Sequence, residues 1–214
     1  MSETGLRERH KRRTRQAINT AAMSLFFEHG YDAVTVADVA RQAHVSVATV
    51  FNYFDTKEDL FFDEVDRMLD ALLDSVRRCR SGSSILQALQ DQVVFQLTGG
   101  RPAAEAEEVA RFHAAVLDSP DLQRREQHLQ LRRRQALAAA LAQALGTPLP
   151  SLAADLAATQ YLAAESVIGS ELRSRLGAGL ALPDALAELE PVTAEVFATL
   201  RTGLGPLVKA GAPQ

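Results

Sequence analysis

Residues 34–60 read VTVADVARQAHVSVATVFNYFDTKEDL, and the fold turns on this stretch. Thr35 precedes a helical pattern and suits an N-cap, because its hydroxyl can accept a free N–H of the first turn. Asp38, three residues on, can answer it as a capping box. Val36, Val39, Ala40 and Ala43 then recur at helical spacing and give one apolar face. His44 falls where the chain must turn, and Val45 can plug the gap between two helices. Ser46 is a second N-cap candidate. The spacing predicts a further helix over Val47 to Tyr53, with Val50 and Phe54 turned inward and Val47, Ala48, Thr49 and Asn52 outward. That second helix is short, rich in small residues and closed by aromatics. A helix of this kind fits a major groove, so the pair reads as a DNA-binding helix-turn-helix. The competing reading is a buried helical hairpin, which gives no reason for the charge pattern that precedes it.

That pattern lies at residues 7–15, where Arg7, Arg9, Lys11, Arg12, Arg13 and Arg15 stand against Glu8 alone. The net charge of the chain is −4, yet residues 1–60 balance at 8 basic and 8 acidic residues. The excess acid lies in the rest of the chain, with 15 basic and 19 acidic residues. The local basic cluster reads as an arm that meets phosphate; a solubilising tail is the plainer alternative. Between the arm and the quoted stretch, Thr14 to His29 is helical, with Ile18, Ala21, Ala22, Leu25 and Phe26 on one side and Gly30 at its end.

The run Thr-Val-X-X-Val-Ala-X-X-Ala-X-Val-Ser-X-X-Thr-Val-Phe-X-Tyr-Phe-X-X-Lys-Glu-X-Leu, from Thr35 to Leu60, resembles the signature of the tetracycline-repressor (TetR) family of bacterial transcription regulators. The similarity covers residues 12–62, and Phe51-Asn52-Tyr53-Phe54 resembles one common version of the recognition helix. The family usually has Gly where this chain has His44; Gly tolerates positive φ, and His does so at some cost. The resemblance implies an all-α fold of about nine helices. Residues 1–56 would form the basic arm and helix-turn-helix domain, and residues 57–214 an effector-binding and dimerisation domain. It implies a homodimeric, ligand-responsive repressor whose two recognition helices enter successive major grooves of a pseudo-palindromic double-stranded operator. Tyr53 and Lys57 resemble the family's phosphate contacts, and Thr35 can add another. Arg12, Arg13, Arg41 and Ser46 complete the expected DNA-binding set. Thr49 and Asn52 can hydrogen-bond to bases, and Val47 and Ala48 can meet thymine methyls. The recognition helix has no Arg or Lys to read guanine, so specificity leans on Arg41, the arm and DNA shape.

Further along, helical patterns run from Lys57 to Arg80, Ser84 to Thr98, Ala103 to Leu117, Asp121 to Leu145, Ser151 to Arg175 and Pro183 to the Lys209 region, where Pro191 should kink or split the helix. Expected effector-pocket walls are Phe95, Phe112, Val116, Leu129 and Ile168; expected polar contacts are Gln92, Gln96, His113, Tyr161 and Glu165. For each, an ordinary core or surface residue is the plainer reading. The effector implied is small and largely apolar. Leu152, Leu156, Ala163, Val167, Val196, Leu200 and Leu207 suggest a flat apolar face that a second copy would bury, packing within one monomer being the alternative. No phosphate loop, nucleophile elbow or metal-ligand spacing occurs, so catalysis, cofactors and metals are not expected. Cys79 sits among Arg77, Arg78 and Arg80, the setting of a redox-responsive thiol or simply of a small residue near a helix end. With one cysteine and no membrane-length apolar run, the expected place is the cytoplasm, at the nucleoid when bound to DNA. An activator with the same contacts, or a ligand-sequestering or interaction protein without operator binding, remain the alternatives.

Overall fold

In the computed structural model, which describes residues 3–79, 81–98, 111–112, 114–148 and 151–210, every regular element among the described residues is an α-helix. The helices are α1 (Glu3–His29), α2 (Val36–Gln42), α3 (Val47–Phe51), α4 (Lys57–Arg78), α5 (Gly82–Thr98), α6 (Pro120–Ala144), α7 (Leu152–Gly177) and α8 (Leu182–Ala210). Residues 111–112 and 114–118 are helical too. Residues 103–110 of the helix expected between α5 and α6 lie outside the described residues.

Beyond other shifts of one or two residues at helix ends, the structure departs from the sequence reading in three respects. The basic stretch expected as an arm is the first half of α1, which already runs from Glu3. Arg, Lys, Gln and Glu are good helix formers, and Arg7 to Arg13 project into solvent, so the helix continues without a core to pack on. Helix α3 ends at Phe51 rather than Tyr53, with Asn52 as its C-cap. Helix α8 is not split at Pro191. Pro191 and Ala187 are both exposed, so water can satisfy the Ala187 carbonyl that the proline leaves without a donor.

The chain forms two compact units, one of Met1–Arg67 with Arg111–Gln127, the other of Met68–Ala110 with His128–Gln214. The division expected after residue 56 falls instead inside α4. The reason is visible in the first unit's core. Leu60, Phe61 and Phe62 on the first turns of α4 are buried with Ile18, Ala22 and Phe26 of α1, Val39 and Ala40 of α2, and Val50 of α3. Phe61 stacks on Phe112 at 4.5 Å and meets Tyr31 edge-on at 5.7 Å. In the second unit, Leu72, Val76, Leu89, Val93, Leu137, Ala158, Tyr161, Ile168 and Phe197 form one continuous core. No helix among the described residues is long and apolar enough to cross a membrane.

Candidate nucleic-acid interface

Helix α2 begins as the sequence requires. Thr35 is extended at φ −102 and ψ 159, its side chain accepts the Asp38 N–H, and the Asp38 carboxylate accepts the Thr35 N–H at 3.0 Å. These bonds from Thr35, with the nearby Arg41 charge, hold the Asp38 carboxyl below its usual range. Arg41 pairs with Asp38 three residues earlier. It therefore stands at the surface already engaged in an ion pair.

The turn after α2 is a Schellman motif. The Val45 N–H donates to the Ala40 carbonyl at 2.9 Å and the His44 N–H to the Arg41 carbonyl at 3.2 Å. The geometry puts His44 in the left-handed region at φ 55. The same bond pattern closes α6 and α7, and there the left-handed residue is Gly146 or Gly179. The turn expected at His44 thus forms around a histidine.

Ser46 then caps α3, accepting the Thr49 N–H at 3.0 Å, while its hydroxyl lies 2.8 Å from that of Thr49. Both hydroxyls expected at DNA are therefore already bonded to each other, and Thr49 is half-buried. Val50 and Phe54 are buried at 1% and 2%, which fixes the rotation of α3 about its axis. Val47, Ala48 and Asn52 consequently face outward. Phe51 joins them at 50% exposed, a residue the sequence reading left unassigned. Its i+4 spacing from Val47 was the signal that would have placed it there.

Around this surface, Arg12 and Arg13 are exposed on α1. Tyr53 is half-buried. Lys57 opens α4 with its ammonium 4.0 Å from the centre of the Tyr31 ring. Burial pushes the Lys57 pKa down, against the pull of Asp32, Glu58 and Asp121. The Tyr31 hydroxyl donates to Glu58 at 2.9 Å, and burial and that carboxylate raise its pKa.

The described residues expected to line an effector pocket are divided between the two units. Phe112 and Val116 belong to the first unit, where Phe112 packs on Phe61 and Phe62 and Val116 is buried. Gln92 lines an open groove of about 560 Å³ in the second unit with Ser75, Ser84, Gln87, Ala88 and Asp91. Leu129 and Ile168 are core residues of that unit. Glu165 accepts two bonds of 2.8 Å from Arg133, a largely buried pair that occupies both carboxylate oxygens. Tyr161 is fully buried, and its hydroxyl has no hydrogen-bond partner among the described residues. Burial raises the Tyr161 pKa, so it is a neutral phenol. The side chains of Phe95 and Gln96, and His113 altogether, lie outside the described residues. The Cys79 thiol donates to the Ser75 carbonyl at 3.3 Å.

Of the residues expected at a subunit contact, Leu152, Leu156 and Val167 are exposed at 85%, 55% and 60%, and Ala163 is exposed with them. All four lie on one face of α7. Leu200 is buried at 9% in the second unit's own core, and Val196 packs against that core. Their α8 positions turn inward because Phe197 and Thr193 share that face. The side chain of Leu207 lies outside the described residues.

Two capped helices, a tight turn and an outward face on the second helix define a helix-turn-helix DNA-binding domain. Residues 18–63 match the family described as bacterial regulatory proteins, tetR family. The regulator TcmR of Streptomyces glaucescens is 33% identical over 85 residues, 40% of this chain and 38% of that protein. HbdR of Aromatoleum sp. is 36% identical over 64 residues, 30% of this chain and 28% of its own length. The chain thus spans less than half the length of the curated relatives it matches. Among solved structures, GusR of Salmonella enterica shares the fold with a TM-score of 0.54 at 21% identity, over 92% of this chain and 95% of that one. A TetR-family regulator from Streptomyces coelicolor gives the same four values.

Proposed function

We propose that this chain is a homodimeric transcriptional repressor that binds a pseudo-palindromic operator and is released by a small, largely apolar effector. The observation that carries the reading is α3 itself. Its buried Val50 and the following Phe54 anchor it, leaving Val47, Ala48, Phe51 and Asn52 as an outward surface of groove-filling size. Asn52 supplies the amide that can read a base edge, and the apolar three suit thymine methyls. The Phe-Asn-Tyr-Phe form of the helix end fits this reading. Lys57, Tyr53, Arg12 and Arg13 would meet phosphate and set the register. The relatives TcmR and HbdR are transcriptional regulators and ComR of Escherichia coli is a transcriptional repressor, which supports the same class.

A second copy would bury Leu152, Leu156, Ala163 and Val167 of α7. An exposed aliphatic row of this kind is costly to leave in water, and a two-fold axis would pair it with itself. Effector binding would act by population shift, with couplings of about 1–3 kcal/mol typical. Tyr161 is the expected polar anchor, because its buried hydroxyl has no partner among the described residues. No catalytic step is assigned, and the cytoplasm is the expected compartment.

Affinity selection of genomic fragments, followed by transcription from the recovered promoters, tests the reading. Recovered sites whose transcripts fall when the protein is added support the repressor. Rising transcripts would make it an activator. Failure to enrich any sequence would favour the ligand-sequestering alternative.

A further inference from the structure

Arg15 belongs by sequence to the basic cluster and its side chain is 38% exposed, but its guanidinium is bonded within the domain. Its Nε donates to Asp63 Oδ1 at 2.8 Å, and Nη2 lies 2.6 Å from the same oxygen. Its Nη1 donates to the Tyr53 carbonyl at 2.6 Å. The face of the guanidinium lies 4.3 Å from the centre of the Phe54 ring. Asp63, on α4, is only 2% exposed, and its other oxygen is 3.5 Å from Arg67 Nε. One side chain thus ties α1, α4 and the segment just after α3. The tie falls one residue past the C-cap Asn52, and a guanidinium bonded there fixes the Tyr53 peptide.

We propose that Arg15 is a positioning residue for the recognition helix and not a phosphate contact. All three of its nitrogens and one of its faces are committed inside the domain, and its planar fork serves three elements at once, which a lysine cannot do. Held this way, the Tyr53 peptide sets the direction in which Asn52 and the Tyr53 ring leave α3. Asp63 acts through Arg15 as the buried counter-charge. This inference rests on the proposed DNA-binding reading.

The test compares Arg15→Lys and Asp63→Asn with the wild-type chain. Affinity is measured on the selected operator and on a scrambled duplex across a salt series, beside the backbone amide signals of residues 52–54 in the free protein. Positioning predicts that both variants lose about tenfold on the operator, the size of one good base contact, with little change on the scrambled duplex. It also predicts an unchanged salt slope and shifted amide signals at residues 52–54. Asp63→Asn is the sharper variant, since removing a negative charge should tighten binding if bulk charge alone mattered. The inference is overturned if Arg15→Lys behaves as wild type. It is overturned equally if Arg15→Ala loses affinity alike on all sequences and takes about 0.9 off the salt slope, the mark of a phosphate contact. A wild-type chain without sequence preference would sink the functional reading instead, and the amide signals would still decide the role of Arg15.

Discussion

His44 carries the most legible strain in the domain. It holds φ 55 in a motif that uses glycine at the two other places where the described residues build it. A left-handed L-residue costs about 1–2 kcal/mol, and glycine gives back about 0.5–1 kcal/mol through unfolded-state entropy. His44→Gly is therefore expected to raise stability slightly, by about 0.5 kcal/mol, with operator affinity kept; a thermal melt reads it, and a lower midpoint would mean that the His44 side chain contributes packing of its own. Lys57 and Asn52 divide the labour differently. Lys57→Ala should weaken binding alike on every sequence and cut the salt slope by about 0.9. Asn52→Ala should relax preference at one base position. Gel shifts on a randomised operator library separate the two, and unchanged affinity for the Lys57 variant would remove that residue from the interface.

At the scale of elements, the caps and the turn were readable because each depends on two or three neighbouring residues. Thr35 with Asp38, Ser46 with Thr49, and the histidine turn all formed where the spacing put them. The outward face of α3 followed from Val50 and Phe54, except that Phe51 was overlooked and Thr49 is half-buried. What local reading missed were long-range pairings. Nothing near Arg15 in sequence announces Asp63, 48 residues away, and nothing near Glu165 announces Arg133 on another helix. Phe112 looked like a pocket wall because an aromatic on an apolar face carries no mark of which core it joins. Pro191 does not split α8, since an exposed proline can ride on a long helix whose freed carbonyl meets water. The basic stretch being helical alters one expectation: Arg7, Arg9 and Lys11 approach phosphate from the start of α1 and not from a separate arm. Deleting residues 1–11 should reduce the salt slope by up to about 0.9 for each phosphate that the shortened chain no longer neutralises. An identical slope in the shortened protein would make this stretch a solubilising extension.

For the molecule as a whole, the claim is two copies of one chain on one operator. Val167, 60% exposed, and Leu200, buried at 9%, give the assembly a controlled test. Val167→Glu should yield a folded monomer in ultracentrifugation, because two unpaired charges would meet in an apolar seam. Leu200→Glu should unfold the second unit, because the charge enters a core. A dimeric Val167→Glu protein would move the subunit contact off this face of α7. The central claim is met most directly by selecting binding sites from a pool of random duplexes with the wild-type protein and footprinting the winners. The account predicts a pseudo-palindrome whose half-site centres lie about 34–36 Å apart, one turn of DNA, with protection falling in successive major grooves and stoichiometry of two chains per site. Enrichment of no sequence, or of a single unrepeated site bound by one chain, would contradict it.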